Sequence, residues 1–483
     1  MERNIRTQHN ATKKEEEEES ECDVDMFSSL HNFKSFPIKI WKIILYQNKI
    51  RIANESRLFS SISHSNYGHR MRGTSKFSFT DYDCIGFDLD NTLARYKVGN
   101  MIEMEYSIVS NYLVKKKGYS DKFLLQPLDH NFIMKGLIVD DENGNLIRIS
   151  PDGKILQATH GTKWLSDEEI LRYYPNRHWK ATDLFVEDPL QTWNGPYSER
   201  MRTLLDYFDI VISLAFARAV DSLDANGGNK KVYEIWPDLL DSLIYMFNRD
   251  HFKKNIGEYF PEVKKNPENY YYKCSENLIN WLQTLKNNGK RLFLITGAHV
   301  DFASLTASNT LGANWRDYFD IVVCYSKKPG FFTMKRDFIG LDGLHETGPV
   351  ALEDLQVGGI YTHGNWNDLK IFMKKVSYLE DPKILYIGDN LVQDIYTPNV
   401  HSKVDTVAVC EELEAERTHG FAEKWHPDEQ FLCSSIWGSY FHCKDKNMIT
   451  NWYHIMKTHS RMCVPSLEYL ASFPVNHTFE EVN

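Results

Sequence analysis

The stretch "CIGFDLDNTLARY", residues 84–96, decides how this chain is read. Ile85, Gly86 and Phe87 form an apolar run suited to a buried strand, yet the run ends in Asp88 and Asp90. A buried carboxylate costs several kcal/mol unless it is ion-paired or bound to a metal. Two of them at i and i+2 share a face, and each makes ionisation of the other harder. Something elsewhere in the chain must meet them.

Three later segments have the same form, an apolar run with a polar tip: "KRLFLITGAH" (290–299), "YFDIVVCYSKKPGFF" (318–332) and "KILYIGDNLVQD" (383–394). A fifth run, "KVDTVAVCEEL", spans 403–413. Helical patterns precede them. In "SENLINWLQTLKNNGK" (275–290), Leu278, Trp281, Leu282 and Leu285 fall on one face and Gly289 supplies a stop. Strands alternating with helices predict an α/β protein with a parallel sheet covered on both faces. Its polar tips then converge on one sheet edge.

Those tips bring Asp88, Asp90, Thr296, Lys328, Asp389 and Asp394 together. Lys327 competes with Lys328, and the Pro-Gly-Phe-Phe that follows favours Lys328. For Asp389 and Asp394 the plainer reading is a Gly-Asp turn and a helix cap; the companion tips favour a site. Four carboxylates, an ammonium and a hydroxyl suit magnesium, a hard cation that takes few protein oxygens and keeps several waters. Such a cation cancels the repulsion among the carboxylates. The chemistry that follows is phosphoryl transfer through an aspartate. Asp88 is the nucleophile, and Asp90 protonates the leaving oxygen and then activates water. Thr296, Lys328 and the metal stabilise the transferring oxygens.

About 200 residues separate the first two of these strands. "VDDENGNLIRISPDGKILQATHG" (139–161) holds Asn143-Gly144 and Asp152-Gly153 turns between alternating strands and predicts β-hairpins. A calcium loop is a poorer reading, since its twelfth position carries Asp152 instead of a bidentate Glu. Residues 198–224 and 234–256 read as helices. The expected organisation is a basic N-terminal extension over 1–77, a core from 78–97 and 275–425, a mixed α+β cap over 98–274, and a helical C-terminal segment over 426–483.

Composition narrows the classes. The 483 residues are 42% hydrophobic and 25% charged, with a net charge of −10, which argues against general nucleic-acid binding. The eight cysteines include no C-x-x-C pair and read as reduced intracellular thiols. No apolar stretch is long enough for a transmembrane helix. The acidic block "KKEEEEESECDVD" opens the chain, and a basic, Ser-rich stretch follows from Met26 to about Thr80. That stretch is a plain extension of a cytoplasmic protein, or a mitochondrial presequence if translation starts at Met26.

The four tips, in this order, resemble the haloacid-dehalogenase superfamily of phosphatases. "GLIVDDENGNLIRISPDGKILQATHG", "YFDIVVCYSKKPGFF" and "ILYIGDNLVQDI" are similar to segments of the purine 5'-nucleotidase family, and the likeness runs from about residue 80 to 472. It implies a Rossmann-like parallel sheet of the haloacid-dehalogenase type, with the cap inserted after the first strand. It also implies Asp88 as nucleophile, Asp90 as acid/base, and a phosphate clamp of Thr296 and Lys328. Magnesium would be held by Asp88, the Asp90 carbonyl and Asp389, with Asp394 supporting. Phe208 falls where the family places a base-stacking aromatic, and a core aromatic is its plainer reading. Lys253 is retained near the end of the base-gripping helix. His160 and Lys163, in "HGTK", contact substrate or merely form a hairpin turn. The chain departs from the family at Leu240, Ile244 and Phe247, apolar where purine-reading polar groups stand, and at Gly297-Ala298 after Thr296. Purine discrimination through those hydrogen bonds is therefore not available. The expected function is a magnesium-dependent phosphomonoester hydrolase of the 5'-nucleotidase type acting on a small phosphomonoester such as a nucleoside monophosphate, with a homo-oligomer allowed. The alternatives are a binding or scaffold protein that keeps the fold with little or no turnover, and a nucleoside phosphotransferase.

Overall fold

The computed structural model describes residues 76–193, 196–227, 232–418, 421 and 426–480. The acidic block and nearly all of the basic stretch, with the presequence question, lie outside the described residues. The chain enters the main sheet with β1 (Cys84–Phe87) and leaves it for an insertion. The insertion carries β2 (Leu137–Asp140), β3 (Asn145–Ile149), β4 (Ile155–His160), β5 (Lys163–Trp164) and β6 (Met201–Leu204). The chain returns with β7 (Arg291–Ile295), β8 (Ile321–Cys324), β9 (Phe338–Asp342), β10 (His345–Val350) and β11 (Gly359–His363). The last strands of this sheet are β12 (Ile384–Gly388), β13 (Asp405–Val409) and β14 (Met462–Val464).

The main sheet has nine strands in the order β10-β9-β11-β8-β7-β1-β12-β13-β14. From β11 to β14 every pairing is parallel; β9 runs antiparallel to both its neighbours. The expected α/β sheet is present, and β1, buried at all four residues, lies between β7 and β12. Its Gly86 is required there: a Cβ would come within 2.1 Å of the Phe293 ring on β7. The helix Glu276–Asn287 forms as its pattern predicts. Ser275 caps it by accepting from the Leu278 N–H at 3.1 Å, and Leu278, Trp281, Leu282 and Leu285 face the core. Each such side chain contributes about 1.5–3 kcal/mol by leaving water.

The insertion's own sheet is antiparallel, in the order β5-β4-β3-β2-β6. Its hairpins turn at Gly144 and Gly153, both at positive φ. Asp140, read as part of the calcium-like stretch, instead accepts from the Asn143 N–H and side chain and from the Tyr174 hydroxyl.

Three expectations need correction. Residues 198–224 are not one helix: β6 pairs with β2, and the helix spans Val211–Ala225. Residues 234–256 form two helices, Trp236–Met246 and Arg249–Lys254, because Asn248 caps the second through the Asp250 N–H. The C-terminal segment is not purely helical. Its β14 pairs with β13 and extends the main sheet, a three-residue strand too short to show a period. Among the described residues no helix is long and apolar enough to cross a membrane.

Candidate active site

Hydrogen bonding of the strand ends sets the site. The Asp88 N–H donates to the Ile387 carbonyl at 2.8 Å, which holds the nucleophile candidate against the tip of β12. Gly388 then lets the chain turn tightly, since a Cβ there would lie 2.4 Å from the Asp394 Cβ. That close approach brings Asp394 back under the tip. Asp88, Asp389 and Asp394 each present an oxygen within 4.8 Å of the others, and all three are buried.

Lys328 enters this group from the loop after β8. Its Nζ lies 2.9 Å from Asp88 Oδ1 and 2.7 Å from Asp394 Oδ1, and donates to the Tyr386 hydroxyl at 3.3 Å. Burial works against the Lys328 ammonium; Asp394 and Asp88 overcome it and hold its pKa well above the ordinary lysine value. The carboxylates are less well served. Burial pushes the Asp88 carboxyl well above the usual range, with Lys328 opposing and Asp394 and Asp90 adding. Burial also pushes Asp389 well up, with Asp206 and Asp88 adding. Asp389 Oδ2 is buried with no hydrogen-bond partner. One ammonium against three close carboxylates leaves negative charge unmet. This donor set fits a hard cation, which takes carboxylate oxygens and removes the penalty on each.

Asp90 stands apart from the triad. Its Oδ1 accepts from the Tyr96 hydroxyl at 2.5 Å and its Oδ2 from the Thr296 hydroxyl at 3.4 Å. Burial, partly opposed by Tyr96, pushes its carboxyl up to about 6. It can therefore hold a proton near neutrality, as a general acid must. Thr296 ends β7, its N–H donating to the Val323 carbonyl at 2.9 Å, and its hydroxyl accepts from the Ala298 N–H at 3.0 Å.

Asp88, Asp90, Lys328 and Asp394 line a cavity bounded by the strand tips and by the insertion. Phe208 lines it, edge-on to Tyr96 at 5.1 Å and to Phe247 at 5.9 Å. Of the three apolar positions on the neighbouring helix and its end, Phe247 reaches the cavity, while Leu240 is buried in the core and Ile244 packs on it. Lys327 lines the rim, its Nζ 4.8 Å from the Tyr325 ring.

Three candidates lie elsewhere. His160 is bonded to Asn145 at 2.8 Å and Asp224 at 3.1 Å and stacks on Tyr173, and Lys163 pairs with Glu169 at 2.9 Å. Lys253 is exposed on its short helix and does not line the cavity. Conversely, the sequence reading passed over Asp206, Lys135 and Tyr386. Lys135 is buried 2.9 Å from Glu412, and the Tyr207 hydroxyl donates to the same carboxylate at 2.9 Å. Asp206 sits in the apolar context "LLDYF", the signal that gave away Asp88.

The model of the 5' nucleotidase family matches residues 74–431. The chain belongs to the 5' nucleotidase family. It is 34% identical over 428 residues to 5'-nucleotidase domain-containing protein 1 of Bos taurus, a match covering 83% of this chain and 92% of that protein. The human protein of the same name is 33% identical with the same coverage. 5'-Nucleotidase domain-containing protein 2 of Rattus norvegicus is 26% identical over 347 residues, covering 71% of this chain and 59% of that protein. Family membership sets the enzyme class, a phosphatase of the 5'-nucleotidase type.

Proposed function

We propose that the chain is a magnesium-dependent phosphomonoester hydrolase with a haloacid-dehalogenase-type core, acting on a nucleoside monophosphate or a similar small ester through an aspartyl phosphate. The observation that carries this reading is the buried triad of Asp88, Asp389 and Asp394 with Lys328 between two of its members, of which Asp88, Asp394 and Lys328 line a cavity. A magnesium ion held by Asp88, the Asp90 backbone and Asp389, with Asp394 in support, would supply charge neutralisation at the phosphoryl oxygens.

An Asp88 oxygen attacks phosphorus, the bond to the leaving oxygen breaks, and the Asp90 carboxyl gives that oxygen its proton. Asp90, now ionised, takes a proton from water; the water oxygen attacks phosphorus and the Asp88–phosphorus bond breaks, releasing phosphate. Lys328 and the Thr296 hydroxyl donate to the phosphoryl oxygens throughout. The insertion acts as a cap, with Phe208 against the leaving group and the apolar Phe247 beside it. His160 and Lys253 drop out of the proposed substrate contacts, being outside the cavity. The seven described cysteines are free thiols, which supports a cytoplasmic setting.

The test is phosphate release from nucleoside monophosphates and sugar phosphates with magnesium. Turnover should fall on the order of 10⁴-fold in Asp88→Asn, with melting temperature unchanged or raised, since the change removes one buried negative charge. Equal turnover by wild type and variant would sink the mechanism. No turnover by folded wild-type protein would favour the binding-protein alternative.

A further inference from the structure

The wall that the insertion lends to the cavity carries an acid that neither the triad nor the proton transfers use. Asp206 follows β6, and its side chain lines the cavity together with Asp88, Asp90 and Asp394. Its Oδ1 is fully engaged, accepting from the Asn91 side-chain N–H at 3.0 Å and from the Phe208 N–H at 3.2 Å. Asn91 lies between Asp90 and Thr92 with φ at 53°, so this bond ties Asp206 to the nucleophile loop itself. Asp209 fixes the turn from the other side, accepting from the Asp206 N–H at 3.2 Å. Asp206 Oδ2 has no hydrogen-bond partner among the described residues and is open to the cavity.

Burial raises the Asp206 carboxyl, opposed by the Phe208 N–H, Lys135 and Lys328; in its ionised form the free oxygen only accepts hydrogen bonds and repels phosphoryl oxygens. The group it meets must be a donor on the part of the substrate next to the phosphoryl group. Farther out the wall turns aromatic, with Phe208, Phe247 and Phe302. We infer that Asp206 is a specificity-determining residue whose Oδ2 accepts a hydrogen bond from a leaving-group hydroxyl, selecting phosphate esters of polyhydroxylated alcohols such as a pentose. The inference rests on the hydrolase reading above. A site with a placed acceptor discriminates through the hydroxyl it binds, and loses that discrimination when the acceptor goes.

The experiment compares phosphate release by the full chain, with magnesium, from adenosine and cytidine 5'-monophosphates and from their 2',3'-dideoxy counterparts. Wild type should favour the ribonucleotides by about tenfold to a hundredfold in kcat/KM. In Asp206→Asn, which keeps an acceptor for Asn91 and Phe208 but puts an amide NH₂ where Oδ2 stood, that ratio should fall to near one; in Asp209→Asn it should persist. Equal rates on both sugar classes by wild type would overturn the inference without any variant. So would a ratio that survives in Asp206→Asn, or one that is lost only in Asp209→Asn. Calorimetric titration with magnesium alone separates one more case: an unchanged ratio with weakened magnesium binding in Asp206→Asn assigns Oδ2 to a metal-bound water and overturns it too. If none of the four nucleotides gives release that depends on Asp88, this inference is overturned; the hydrolase reading falls too only if the sugar phosphates of the wider panel also fail.

Discussion

Two buried charge clusters in this chain are built to opposite plans. In the first, Arg95, Glu411 and His426 close on one another. Arg95 Nε and Nη2 donate to the two Glu411 oxygens at 3.3 and 3.1 Å, and His426 Nε2 lies 2.6 Å from Glu411 Oε2. The other His426 nitrogen accepts from the Asp428 N–H at 3.0 Å. Burial alone would raise the Glu411 carboxyl, but Arg95 and His426 hold it at about 2. In the second, Asp88, Asp389 and Asp394 share Lys328, Asp389 keeps an orphan oxygen, and burial raises both Asp88 and Asp389. Both clusters hold buried carboxylates. The first is satisfied within the chain; the second leaves a buried carboxylate oxygen without a hydrogen-bond partner among the described residues. Burial of charge alone therefore does not single out a candidate site here, whereas burial without enough partners does.

The comparison can be broken most directly at its two cations. Lys328→Met should lower kcat/KM by about 10²–10³-fold, the scale for loss of one preorganised donor to a reacting oxygen, and added magnesium should not restore it. Unimpaired turnover would mean that Lys328 only balances Asp394. Arg95→Met should leave kcat within about threefold of wild type while destabilising the fold by about 2–4 kcal/mol, since it leaves a buried carboxylate with His426 as its one remaining side-chain partner. Chemical denaturation paired with steady-state rates checks both. A large kcat loss in folded Arg95→Met would join the two clusters and end the contrast.

The open cluster was legible in the sequence because its members end apolar strands, where a carboxylate needs an explanation. Asp88, Thr296, Lys328 and Asp389 each follow a buried run, and each stands at the same sheet edge. The closed cluster left only half of such a trace. Glu411 does follow the buried run of β13, but its partners Arg95 and His426 stand at no strand end, and pairing across 316 residues has no local period. Asp206 was missed for another reason. Residues 198–224 read as one helix, which hides the strand β6 and with it the position of Asp206 just past a strand end. The short strand β14 and the β9–β11 edge were hidden for want of length or of alternation, as the exposed β10 shows.

The clusters should also respond to pH with opposite signs, a smaller effect and a sharper one. Glu411 is depressed in the fold, so its contribution is fully present above the ordinary glutamate pKa and is lost as pH falls through about 2. Asp90, beside the open cluster, is raised by burial to about 6. Between the ordinary aspartate value and about 6 the native state therefore holds a proton that the unfolded chain has released, and stability falls as pH rises. Asp88 and Asp389, also raised, act in the same direction. Metal-free protein should lose roughly 1–3 kcal/mol over this window. On the proposed reading magnesium would bind the ionised carboxylates, so it should stabilise little at pH 5 and by about 2–3 kcal/mol at pH 7.5 when present at 100 times its Kd. Thermal melts at pH 5, 6 and 7.5, with magnesium and with chelator, read the difference. A magnesium shift of equal size at all three values would mean that the triad is already ionised without the metal, and the two clusters would then differ in geometry but not in charge.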